Sequence, residues 1–188
     1  MEPSVFPFLS AMFGVLVALG IARLISALAA FTTPREPIRV YWVHGAWILF
    51  VLLLYLHLWW SLWDLRAVDS WNYFKYLFLL LGPAALYMAT SLLVPNPDRE
   101  EGLDSREYYF RVQRKFFTSL AIVTVWGMLL YPVFMGQRDP VLEWLLLFLA
   151  AVVVLAVTRN EKAHAGLTVA AWVLFLTWVI SFGMQHGS

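Results

Sequence analysis

The chain of 188 residues is 62% apolar and only 13% charged, with a formal net charge of +1. Those proportions exceed what a soluble domain buries, and the near-neutral balance offers no footprint for nucleic acid. The sequence has no Cys, which excludes disulfides, thiolate metal sites and thiol chemistry.

A hydrocarbon layer about 30 Å thick asks for roughly 20 apolar residues per helix. Six windows meet that length, at about 5–31, 41–63, 73–94, 116–135, 141–158 and 165–183. The sequence therefore predicts an all-α, polytopic integral membrane protein, a bundle of six transmembrane helices occupying 1–188 as one domain. The runs are too long and continuous for outer-membrane strands. Lys and Arg are retained on the cytoplasmic side, so their distribution sets orientation. Connections one, three and five carry nine of them: Arg35, Arg39, Arg99, Arg106, Arg111, Arg114, Lys115, Arg159 and Lys162. The opposite face carries three, Arg66, Lys75 and Arg138. The expectation is a cytoplasmic-membrane protein with both termini outside and connections one, three and five in the cytoplasm. The first segment lacks a basic residue ahead of it and stays as an anchor rather than a cleaved signal.

In the first span, Ser10, Gly14, Ala18, Ala22, Ser26 and Ala30 recur every four residues. Small residues at this spacing let a second backbone approach closely, and the partner is expected within the same chain, with a homo-oligomer or larger membrane complex as the alternative. The same span holds Arg23, about eight residues or 12 Å of rise from its cytoplasmic end. An ionisable residue at that depth is expensive and marks a ligand-binding candidate, to be weighed against simple snorkelling to the interface. The second span ends in His57, Trp59, Trp60 and Trp63. Indole rings there suit an aromatic belt, but three of them cover more than one helix face, so at least one is expected to point inward near His57. Arg23, His57, Trp60, Trp63 and Tyr87 are the candidate ligand-binding residues.

Gly82-Pro83 in the third span and Pro132 in the fourth predict kinks, because proline frees a carbonyl four residues earlier. Before the fourth span, Asp104-Ser105-Arg106-Glu107 has capping-box spacing and opens a short interfacial helix at about 105–115 that runs into that span. Its cations Arg106, Arg111, Arg114 and Lys115 suit anionic lipid headgroups. Asp139-Pro140, with Glu143 following, predicts the start of the fifth helix there. A match of Gly45–Phe50 to Ala170–Phe175 in the last span is more simply accidental than a repeat.

His44 and His164 near one end of the bundle, and His57 and His186 near the other, raise haem b as a weak alternative cofactor, with His44 and His164 as the metal candidates. No catalytic residue, nucleophile elbow, zinc-protease helix or phosphate loop is present, so an enzyme is not expected. The expected function is binding or transport of a small amphipathic, anionic or lipidic molecule, with membrane lipids as partners. A non-catalytic subunit of a membrane complex is the rival, and a haem- or quinone-binding redox protein comes third.

Overall fold

A computed structural model describes residues 6–32, 41–68, 70–94 and 104–183, without the side chains of 30–32, 67, 182 and 183. Arg35, Arg39, Arg99, His186 and the side chain of Ala30 lie outside this set. The described chain is helical throughout, with α1 Phe6–Thr32, α2 Trp42–Ser61, α3 Tyr73–Leu93, α4 Ser105–Met135, α5 Leu142–Val157 and α6 Glu161–Trp178. A 3-10 turn, Asp64–Ala67, follows α2, and α6 runs on into a π turn, Val179–Gly183. Among the described residues five helices are long and apolar enough to cross a bilayer; α5, at 16 residues, is shorter. At 1.5 Å per residue it spans about 24 Å.

Among the described residues α2 is the hub, packed against α1, α3, α4 and α6, while α1–α3, α3–α4, α4–α5 and α5–α6 pair around it. Its buried positions Val43, Trp47, Phe50, Val51 and Tyr55 fill the interior. The stripe Trp42, Leu49, Leu56, Trp60 and Trp63 stays exposed. On a helix of 3.6 residues per turn these exposed positions lie between the side that meets α1 and the side that meets α6.

The packed face of α1 is Leu9, Phe13, Val17, Gly20, Leu24 and Ala27. The small-residue series is not the packed face within the chain: Ala18, Ala22 and Ser26 are exposed, while Gly14 meets α2 against Trp59. The four-residue spacing drifts around the helix, and burial instead follows the 3.6-residue period that keeps one face inward. Gly20 makes the closest approach, because a Cβ there would enter the Tyr55 ring. The Tyr55 hydroxyl meets Thr90 Oγ1 of α3 at 3.1 Å, which ties three helices at one point.

Both prolines sit within continuous helices rather than at breaks. Trp126 of α4 covers Gly82 and donates its indole N–H to Phe78 O at 2.7 Å, one residue before the carbonyl that Pro83 frees. Residues 105–115, expected as an interfacial helix running into the fourth span, form the first three turns of α4, whose 31 residues reach about 46 Å. Asp104 caps it, accepting from Arg106 N at 2.8 Å, while Glu107 turns forward to Arg111 instead of completing the box. At the far end Gly136 adopts φ 65°, a left-handed cap suited to glycine, and its N–H returns to Pro132 O.

The fifth helix begins at Leu142, later than Asp139-Pro140 predicted, because Asp139 organises the turn ahead of it. Its carboxylate accepts from Val141 N at 2.8 Å. Asn160 caps α6 by accepting from Lys162 N and Ala163 N, so that helix starts at Glu161, about one turn earlier than the sequence expectation.

Two predictions follow from these contacts. Gly20→Ala should lower stability by about 1–3 kcal/mol through overpacking, whereas Ala18→Leu and Ala22→Leu should change it by no more than about 0.5 kcal/mol. Thermal unfolding of each variant in detergent measures both. Burial raises the Asp139 carboxyl above its ordinary range, opposed by the Val141 N–H and assisted by the Glu143 charge. A raised carboxyl contributes most below the unfolded-state value, and that contribution is lost as pH climbs through the folded one. Asp139→Asn should therefore raise the melting temperature relative to wild type at pH 7–8, and the gain should shrink as pH falls toward about 4.

Candidate functional site

Polar side chains gather at two levels of the bundle. At the basic end, which carries the α3–α4 and α5–α6 connections, the N-terminal turns of α4 hold the neighbouring helix ends. Tyr108 donates its hydroxyl to Leu92 O at 2.8 Å. His44 of α2 joins Leu93 O through Nε2 at 2.8 Å and Ser105 Oγ through Nδ1 at 2.9 Å. On the other side, Gln113 donates to Thr158 O at 2.8 Å, and His164 bonds the same carbonyl through Nε2 at 3.0 Å and the Tyr109 hydroxyl through Nδ1 at 2.7 Å.

A carbonyl only accepts, so each Nε2 must donate. In the neutral rings each Nδ1 then accepts from a hydroxyl. Both nitrogens of His44 and both of His164 are thus engaged, and a metal or haem iron at either ring would have to displace one of these bonds. Among the described residues no three His, Asp or Glu side chains gather as a metal site. His164 has an internal role, its ring fully buried against Tyr109, Phe110 and Phe117.

Outside this buried layer lie the headgroup candidates. Arg106 forms a two-pronged pair with Glu161, at 3.2 and 2.8 Å, and Arg111 pairs with Glu107 at 3.1 Å. Arg114 and Lys115 are exposed and carry no ion pair among the described residues. An open recess of about 470 Å³ is lined by Asp104, Arg106, Glu107, Phe110 and Arg159.

The second level is toward the tryptophan-rich end, where α2 meets α6. His57 stands edge-to-face against Trp178, with ring centroids 4.2 Å apart. Its Nε2 lies 2.9 Å from Ser61 Oγ, and that hydroxyl donates to His57 O at 3.0 Å. The indole nitrogen of Trp178 is buried without a hydrogen-bond partner. The π turn begins at the next residue, Val179. Such single-turn widenings are uncommon and recur at functional sites.

The five ligand candidates do not converge. Gly20 and Gly14 meet Tyr55 and Trp59, so α1 and its Arg23 lie against one side of α2, whereas His57 faces α6 on the other. Arg23 sits half-buried at the edge of the packed face of α1, with Nε buried and unpartnered. Tyr87 is on the same side, beside Tyr55. Trp59, Trp60 and Trp63 are all more than half exposed, at 52%, 55% and 58%, so none of them turns inward as expected. The indole that meets His57 comes from α6. Ser61 was legible as the i+4 neighbour of His57, but nothing local signalled Trp178, which is 121 residues away in sequence.

Replacing His44 with Phe keeps the ring volume but strands the Leu93 carbonyl and the Ser105 hydroxyl. The expected loss is about 1–3 kcal/mol of stability, read as a drop in melting temperature in detergent, with Ser105→Ala costing less because it leaves Leu93 O bonded.

No protein-family model matches the chain, and no curated protein or solved structure is detectably similar to it.

Proposed function

We propose that this is a six-span protein of the cytoplasmic membrane that binds a small amphipathic or lipidic molecule where α2 meets α6. The observation that carries this reading is the His57–Ser61–Trp178 cluster. His57 lies seven residues, or about 10 Å of rise, before Asp64, at a depth where polar groups are costly and an ionisable side chain defaults to a functional role. A buried indole N–H without a partner, next to a π turn, supports an occupant that completes the hydrogen bonding. The exposed stripe Leu49, Leu56 and Trp60 runs beside His57 and suits an acyl or isoprenoid tail. On the opposite side of α2, the unpartnered Nε of Arg23 suits an anionic headgroup reaching in from the basic leaflet.

The six-span reading counts the short α5 as a span, held at its ends by Arg138–Glu143 and by Gln113 and His164 on the Thr158 carbonyl. A helix of about 24 Å is accommodated by local thinning of the bilayer. The nine-to-three distribution of Lys and Arg supports placing both termini outside.

The outward small-residue stripe of α1 favours a second reading, a subunit that associates through that face. Exposed Ala18, Ala22 and Ser26 form a shallow groove of the kind that helix partners enter closely.

Native mass spectrometry of the protein released from mild detergent separates the readings. Wild type should retain a bound molecule in the lipid mass range, and His57→Leu should lose it while keeping the fold. Equal retention by both would refute the α2–α6 site. A stable dimer that Ala22→Leu converts to monomer, with no retained molecule, would favour the subunit.

A further inference from the structure

We infer that the group held between His57 and Trp178 is a hydroxyl, carried by a lipidic or long-chain alcohol; this rests on the ligand-binding reading above. The assignment comes from counting protons. Ser61 has one hydroxyl proton, and it goes to the carbonyl of His57, 3.0 Å away. The 2.9 Å bond between Ser61 Oγ and His57 Nε2 must then run the other way, with the imidazole N–H donating to the serine oxygen. In the neutral ring the remaining nitrogen, Nδ1, is a lone-pair acceptor, and it has no partner among the described residues.

Trp178 supplies the complementary group. Its indole can only donate, its N–H is buried and unpartnered, and its ring touches that of His57. The pair of rings therefore offers one acceptor and one donor. An ester or ketone carbonyl, or an ether, would satisfy Trp178 and leave Nδ1 unmatched. An ammonium would satisfy Nδ1 and leave the indole unmatched, and an ionised carboxylate would set its charge against the Nδ1 lone pair. A hydroxyl accepts from the indole and donates to the imidazole, completing both. The tail then leaves along Leu56 and Leu49, the exposed side of α2 adjoining His57.

The probes are oleyl alcohol and its methyl ether, titrated into the full-length protein in detergent. Native mass spectrometry follows binding, and ¹⁵N resonances of the His and Trp side chains follow the site. The alcohol should bind at least tenfold more tightly than the ether, since a site that bonds a hydroxyl is left with an unpaired acceptor by the analogue lacking it. The alcohol should shift the resonances of both His57 Nδ1 and Trp178 Nε1, the latter identified by its loss in Trp178→Phe. In His57→Phe the two probes should bind equally. The wild-type shifts make the test independent of how that variant folds. Equal binding of alcohol and ether by wild type, with both shifting Trp178 alone, would overturn the hydroxyl assignment and leave the lipid-binding site standing. If neither probe bound and neither resonance shifted, both readings would be overturned.

Discussion

The arrangement of the bundle depends on closing the carbonyl ends of α3 and α5. The last carbonyls of a helix have no partner within it, and near hydrocarbon an open one is expensive because water is scarce. Here the chain that closes them is α4. Tyr108 and Gln113 reach the ends of α3 and α5 directly, while Ser105 and Tyr109 hold the two imidazoles that complete the same carbonyl sets. These side chains lie at positions 105, 108, 109 and 113, the turns that lift α4 beyond the roughly 30 Å of a hydrocarbon layer. The extra length of α4 and the early ending of α5 belong to the same solution.

Away from that polar layer, cohesion has a different origin. Lipid tails are as apolar as leucine, so burying apolar surface gives little drive for association, and close packing with a few hydrogen bonds must supply it. The contacts fit this. Gly20 admits Tyr55, Gly82 admits Trp126, and the Trp47 indole donates to Thr168 Oγ1 at 2.9 Å between α2 and α6. By contrast α6 buries only His164, Thr168 and Ala171, and none of its residues beyond Ala171. Its later turns, with Trp178 and the π turn, are held more lightly. Geometry that is least constrained by packing is where a ligand can contribute most to order, and His57 meets α6 in that region.

Much of this was legible in the sequence for local reasons. Run length sets the helices, and Asp104 caps α4 through its own side chain a few residues away. The exposed cations at Arg111, Arg114 and Lys115 follow from polarity alone. The misjudged features are those that depend on a neighbour. The four-residue series in α1 looked like a packing face, but burial goes to Leu9, Phe13, Val17, Gly20, Leu24 and Ala27, because the rotation of the helix is chosen by what α2 and α3 present. The three tryptophans of α2 looked too many for one outward face, yet α2 is open between α1 and α6 and leaves all three exposed.

The sequence by itself determined that the chain is helical, that it suits a bilayer, where its helices start and stop to within about a turn, and that His57 and Arg23 are costly residues in need of partners. Each of these follows from composition, period or contacts a few residues apart. Only the tertiary structure decided which partners they have. His44 and His164 became internal ties because α4 brings a hydroxyl to each, and Arg23 and His57 were sent to opposite sides of α2. Trp178 meets His57 because α2 and α6 pack together. Such pairings join residues tens to more than a hundred positions apart, and they are set by how helices rotate and cross, which no local pattern encodes.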